Sequence, residues 1–293
     1  MKWATESRYR SSYEWCGMKL VATLKNPQEI LTLKSLGASV LMLETDAFTR
    51  ASEATFSLQE CQSLIPEIHE AGMQAYVLFN TMIHESDLEA LKKWLVGLVH
   101  GDVDAIVAFD LSVAVMANMM GIHQRVIYQP GTFNTHCQMA KELKSLELKG
   151  TTISREATID EVIRFALNNP EIERSLVGHG YLEMFVSRRK LVTNHFRYRK
   201  QDQFSTGRFT LQEMTRPTMD YPISEDRFGT QIFRAKKVAV FSLVTVLDPI
   251  IDDLFISRVF ISDREYYDAI KAYRLHDSTA FMAQYGADYE DLL

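Results

Sequence analysis

Two groups of residues in this sequence have side chains and spacings suited to chemistry. The first group closes a series of short apolar runs. Glu44 and Asp46 end "SVLMLETD", Asn80 ends "QAYVLFN" with His84 just beyond, and Asp110 ends "VDAIVAFD". Gln129 lies in "RVIYQP", Arg155 and Glu156 end "GTTISRE", and His179 stands between Gly178 and Gly180. Carboxylates and imidazoles positioned this way can exchange protons with a substrate, and a guanidinium can grip a carboxylate or phosphate through paired hydrogen bonds. The glycines beside His179 let backbone approach closely and are expected to leave its ring exposed. Arg155, Glu156, His179, Asn80 and His84 are therefore the catalytic candidates. Plainer roles stay open: Glu44, Asp46, Asp110 and Gln129 as helix caps, Asn80 with His84 as a local turn pair, and Arg155 with Glu156 as solvent-facing charges.

The second group is the stretch "GHGYLEMFVSRRKLVTNHFRYRK", Gly178 to Lys200. Arg188, Arg189, Lys190, Arg197, Arg199 and Lys200 concentrate positive charge where no acid occurs between Glu183 and Asp202, in a chain of formal net charge -6. Such cations bind phosphates, and Phe185, His195, Phe196 and Tyr198 add faces on which an unpaired base can stack. Arg188, Arg189, Lys190, His195, Phe196, Arg197 and Tyr198 form the candidate RNA surface. The alternatives are a solvated face, pairing with Glu213, Asp220, Glu225 and Asp226 further along, or an acidic protein partner.

These residues need a scaffold, and the composition permits one. With 46% hydrophobic and 24% charged residues, 293 residues can bury one large core. Apolar runs such as Val238 to Leu247 are far shorter than the roughly 20 residues of a membrane-spanning helix. The start of the chain is charged and lacks the apolar stretch of a secretory signal, so no membrane association and a cytoplasmic location are expected. Cys16, Cys61 and Cys137 show no CxxC spacing, so no disulfide framework or metal site is read from them; they read as buried thiols. Apolar runs alternate with helical patterns from Leu20 onward, and close to eight such units occur. Strands without polar alternation, joined by helical crossovers, imply a parallel sheet covered on both faces. A (β/α)8 TIM-type barrel fits this count better than an open doubly wound sheet, because "LKNPQE" after the first run is not a glycine-rich nucleotide turn. The pattern predicts one barrel domain over 1–293, with an N-terminal extension (1–19) and a basic, aromatic insert (185–237). Pro217, Pro222 and "SEDRFG" mark that insert as irregular or β-rich.

The segments "NPQEILTLKSLGAS", "FSLQECQSLIPEIHEAGMQAYVLFNTMIHESDLEAL", "VDAIVAFDLSV", "ISREATIDEV" and "HGYLEMF" occur in an order that resembles the collagenase-like peptidase family, family thirty-two of the peptidases of unassigned mechanism. The resemblance covers nearly the whole chain. It implies oxygen-independent hydroxylation of RNA bases or quinone precursors, with prephenate a possible substrate of the RNA-modifying members, and thiolate ligands for an iron–sulfur cluster. At two of the family's cysteine positions this chain carries Glu183 and Lys190, an oxygen ligand and a cation where soft iron needs thiolates. No bound cofactor is therefore expected in this chain. Its wording is most similar to a short, cysteine-poor branch. That branch implies a tRNA partner and a cysteine-bearing paralogue, the pair together making 5-hydroxyuridine at the wobble position. Peptide hydrolysis, or a non-catalytic scaffold beside the paralogue, are the other readings.

Overall fold

Eight parallel strands close on themselves in the computed structural model, which describes residues 17–201 and 206–291. They are β1 (Lys19–Thr23), β2 (Val40–Glu44), β3 (Gln74–Phe79), β4 (Ala105–Ala108), β5 (Val126–Tyr128), β6 (Gly150–Thr152), β7 (Glu173–Gly180) and, late in the chain, β13 (Asp253–Ile256). Each pairs with its successor, and β13 closes the ring by pairing with both β7 and β1. Helices α1 (Ile30–Leu36), α2 (Leu58–Glu70), α3 (Leu88–His100), α4 (Leu111–Met119), α5 (Cys137–Ser145) and α6 (Ile159–Asn168) supply the crossovers. The (β/α)8 expectation therefore holds.

The uninterrupted apolar strands are explained by burial on two sides. Val21, Val40, Met42, Tyr76, Leu78, Ala105, Val107, Ile127 and Phe255 fill the barrel interior, while alternate residues such as Leu20, Leu41, Val77 and Ile106 pack outward beneath the helices. Below this layer, Lys19 Nζ meets Asp253 at 2.9 Å and Tyr76 Oη at 3.0 Å, so the buried carboxylate has a cation to face. Helix starts follow their local sequence. Ser57 and Glu60 form a reciprocal capping box on α2, and Asp110 accepts from Ser112 N at 2.9 Å to cap α4.

The chain between β7 and β13 builds a second, antiparallel sheet. Its strands β8 (Glu183–Ser187), β9 (Gly207–Glu213), β10 (Arg216–Asp226) and β11 (Gly229–Phe233) lie in the order β8-β11-β10-β9. Gly229 makes the turn into β11 at φ 120°, where a Cβ would stand 1.9 Å from the Ser187 carbonyl oxygen. Inside this stretch, read from sequence as strands and turns, lies a further helix, α7 (Leu191–Tyr198). Its cap is distant in sequence: Glu225 accepts from Val192 N (2.8 Å) and Thr193 N (3.0 Å). The short strand β12 (Lys237–Ala239) then runs antiparallel to β7, followed by α8 (Val244–Leu247). After β13 come α9 (Asp263–Leu275), α10 (Thr279–Tyr285) and β14 (Tyr289–Asp291), which pairs with β12 outside the closed ring.

The antiparallel sheet is tied to the carboxyl end of the barrel by several hydrogen bonds. Asp226 Oδ2 accepts from Ala51 N at 2.9 Å, Arg208 Nη2 donates to Glu53 Oε1 at 2.7 Å, and Arg188 Nη1 donates to the Met82 carbonyl at 2.9 Å. The insert therefore stands over the end of the barrel where barrel proteins carry their sites.

Candidate functional site: an arginine-lined barrel mouth beside a basic helix

A cavity of about 140 Å³ opens at the carboxyl ends of the strands. Of the residues singled out by their place at strand ends, Glu44, Asn80, Gln129 and Arg155 line it. Arg50, which no strand-end argument picks out, lines it as well, together with Glu183 from β8 and Phe233 from β11.

Arg50 is the anchor of this site. It lies in the loop after β2, and its side chain is 4% exposed. Asn80 Oδ1 accepts from Arg50 N (2.8 Å) and its Nδ2 donates to Arg50 O (3.3 Å), so the asparagine acts as a two-point backbone clamp. The guanidinium stacks on Phe109, 4.5 Å from the ring centroid. Its Nε and Nη2 donate to the two oxygens of Glu183 at 3.0 and 2.9 Å, a fork-to-carboxylate pair. Nη1 is buried without a hydrogen-bond partner among the described residues. Arg155 lines the same cavity with no side-chain hydrogen bond among the described residues, and burial holds its guanidinium below the usual arginine range against the pull of Glu183 and Glu156.

The two carboxylates of the mouth differ sharply. Glu183 faces a guanidinium. Glu44 is 3% exposed, accepts from Glu53 N at 3.2 Å, and has no ion-pair partner among the described residues. Burial pushes its carboxyl up to about 8. The mouth thus sets two guanidinium side chains beside one carboxyl gripped by an arginine and one buried carboxyl with no cation paired to it among the described residues.

His179 does not join this site. Instead of an exposed ring at the mouth, the structure shows a side chain 0% exposed on the outer side of β7. The flanking glycines do admit close neighbours, since a Cβ on Gly178 would stand 2.5 Å from Leu254 Cδ1. The neighbours, however, bury the ring. A bulge supplies the direction: Phe255 pairs with Val177 and Ile256 with His179, so Gly178 is an extra residue and strict alternation is broken. His179 then packs among Phe241, Tyr273, Phe281 and Tyr289. Tyr289 Oη donates to Glu265 at 2.8 Å and lies 3.1 Å from His179 Nε2, which must carry the proton for that bond to form. Burial, with Lys237 nearby, pulls the imidazole down to about 3.

This has a measurable consequence. Between about pH 6.5 and pH 3 the unfolded chain protonates this histidine and the folded chain does not, so stability is lost as pH falls. Relative to His179→Gln, the protein is expected to lose about 2 kcal/mol more between pH 7 and pH 5, read from urea denaturation midpoints. Parallel curves for the two proteins would show that the ring is solvated.

The other candidates take plainer places. Glu156 and His84 are exposed and outside the cavity lining. His84 serves through its backbone, its N donating to Asp87 Oδ2 at 2.9 Å. Asp46 is exposed as well, and Asp110 caps α4 while accepting from Ile83 N at 2.9 Å.

Arg188 ties the start of the basic stretch to the barrel rim, Arg197 lies on α7, and Arg189, Lys190, Arg199 and Lys200 flank that helix. Arg189, Lys190, His195, Arg197, Tyr198, Arg199 and Lys200 are exposed, Tyr198 at 86%. Phe196 is half-buried, 5.3 Å from the His195 ring. The four acids further along the insert are engaged by groups other than these cations. Glu213 meets Arg216, Asp220 accepts from Gln212, Glu225 caps α7, and Asp226 holds Ala51 and Phe228 backbone. Arg188 pairs with Asp87 at 3.3 Å. Arg189, Lys190, Arg197, Arg199 and Lys200 have no ion-pair partner among the described residues.

Fold and site together define a (β/α)8-barrel protein with an arginine-lined mouth and an inserted antiparallel sheet whose β8–β9 connection carries a cluster of exposed cations. Residues 29–283 match Peptidase family U32, and the chain belongs to that family. It is 25% identical over 263 residues to tRNA hydroxylation protein P2 of Bacillus subtilis (strain 168), covering 87% of this chain and 84% of the relative. It is 30% identical over 141 residues to tRNA hydroxylation protein P of Haemophilus influenzae, covering 47% of this chain and 30% of that protein. The solved structure of a U32 peptidase superposes with a TM-score of 0.51 at 10% identity, over 86% of this chain and 97% of the other, a likeness of fold.

The iron–sulfur cluster implied by the family resemblance does not suit the residues present. Glu183 is committed to Arg50, and Lys190 is an exposed cation at the start of α7. Cys61 lies on α2 and Cys137 on α5, Cys16 falls outside the described residues, and no group of three or more His, Cys, Asp or Glu among the described residues is placed to hold a metal. No helix among the described residues is long and apolar enough to cross a membrane.

Proposed function

We propose that this chain is the RNA-engaging barrel of a tRNA-hydroxylating complex that forms 5-hydroxyuridine at the wobble position. The observation that carries this reading is the group of exposed cations on and flanking α7, without ion-pair partners among the described residues, in a chain that aligns over most of its length with tRNA hydroxylation protein P2. Phosphates would bind along Arg189, Lys190, Arg197, Arg199 and Lys200, and an unpaired base would stack on Tyr198. In the barrel mouth, Arg155 favours a small organic acid, prephenate being the candidate implied by the resemblance. A cysteine-bearing paralogue would supply the thiolates for which Glu183 and Lys190 are no substitute. The mouth has no cysteine or histidine in its lining, so hydrolysis through a Cys–His or Ser–His pair has no support there.

The test is the wobble-uridine profile of tRNA from a strain lacking only this gene. Loss of 5-hydroxyuridine, restored by the intact chain, is expected. An unchanged profile, in a strain with no second copy of the gene, would remove the assignment.

A further inference from the structure

Two carboxyl groups share the mouth in opposite surroundings, one gripped by a guanidinium and the other buried with no cation paired to it among the described residues. That arrangement assigns an acid where no strand-end argument distinguished one from a helix cap. Glu183 is held by a fork of two hydrogen bonds from Arg50. Glu44 ends β2 at the cavity wall, is almost wholly buried, and is met by backbone N–H groups of Glu53 and Ala54 in the loop that also carries Arg50. Buried carboxylates are stable when paired with a cation; Glu44 has none among the described residues.

The charged and titratable groups around it are Glu53 on the same loop, Arg258 and Tyr266 from the β13–α9 side, and Arg50, Arg155 and Glu183 around the cavity. Arg258 is itself committed to Glu29 at 2.8 Å and Asp263 at 2.8 Å. Glu53 repels a charge on Glu44, adding to the effect of burial.

We propose that Glu44 is the specificity-determining residue of the mouth, donating its carboxyl proton to an uncharged oxygen of an organic acid whose carboxylate is bound by Arg155. The preferred ligand is then an acid with a keto, hydroxyl or ether oxygen beside its carboxylate, and a plain carboxylic acid is disfavoured. This rests on the reading of the mouth as an organic-acid site. Glu44 loses its proton near pH 8. Above that pH it becomes an acceptor facing an acceptor, and the preference disappears.

The experiment uses the full chain and two matched probes, phenylpyruvate and 3-phenylpropionate, which differ in the keto oxygen. Calorimetric titration near pH 6.5 is expected to favour phenylpyruvate by about tenfold, the value of one net hydrogen bond. Near pH 9.5 the ratio should fall to about one. Glu44→Gln keeps an N–H donor at every pH, so its ratio should stay constant, and Glu44→Leu should show no preference at either pH. A wild-type ratio unaffected by pH, or a preference that survives in Glu44→Leu, overturns the proposal while leaving the organic-acid site in place. If neither probe binds at any pH, the organic-acid reading falls and this proposal with it. A ligand-free measurement stands apart from both. The infrared carbonyl band of a protonated carboxyl near pH 7 should be present in wild type and missing in Glu44→Gln, and its absence from wild type would end the proposal even if the probes bind.

Discussion

Glu183→Ala is expected to destabilise the folded chain by about 3–5 kcal/mol, because it strips the counter-charge from a guanidinium that stays buried. Arg50 cannot turn to water: its backbone is clamped on both sides by Asn80, and its plane rests on Phe109. Only its pairing with Glu183 offsets the loss of hydration. Removing both charges together is a different matter. Arg50→Met with Glu183→Leu keeps most of the volume and leaves no orphaned ion, so the double variant should fall close to wild type in stability. Urea denaturation of the three variants measures this directly. A Glu183→Ala change costing less than about 1 kcal/mol would place Arg50 in contact with solvent, as exposed pairs contribute little.

Replacing Arg189, Lys190 and Arg197 together with alanine should weaken tRNA binding by about a hundredfold near 0.1 M salt and lower the log–log salt slope by about 2. Each of the three is exposed and has no acid partner among the described residues, so each is free to displace a counterion from a phosphate. Single-stranded contacts contribute about 0.7 to the slope apiece, and three of them set both figures. Stability should change by less than about 0.5 kcal/mol per site, because the side chains contact little. Binding measured across a salt series gives the slope. Unchanged affinity and slope would return the helix to a solvated face; an unchanged slope with lost co-purification of a paralogue would make it a protein-docking surface. Arg188 is a poorer choice for this test, since it also holds the insert to Met82 and Asp87, and its loss would confound docking with recognition.

How much of this was legible beforehand depended on whether the information was local. The barrel was legible, since strands buried on both faces must be apolar throughout, and "SVLMLE", "AYVLF" and "DAIVA" say so residue by residue. Strand ends then placed Glu44, Asn80, Gln129 and Arg155 at the mouth, because chain order and parallel pairing leave the carboxyl ends on one side. Function within that set was less legible: Asn80 clamps the backbone of Arg50, and nothing local distinguishes a clamp from a proton donor.

The tertiary structure alone decided the rest. Arg50 lies in a loop, and the partner that gives it meaning is Glu183, separated by 133 positions. A charged residue in a loop after a barrel strand was the available signal. Helix α7 is capped by Glu225 from a strand more than 30 residues further on, so its start carried no local mark. His179 turned outward because one extra residue, Gly178, reversed the alternation of β7 against β13. A period of two makes side-chain direction depend on every residue counted before it. Local pattern was enough for the barrel strands, most of their helices and the end of the barrel that holds the site; long-range pairing set α7 and the side chains that face the mouth, because a bulge or a distant counter-charge leaves no trace among a residue's own neighbours.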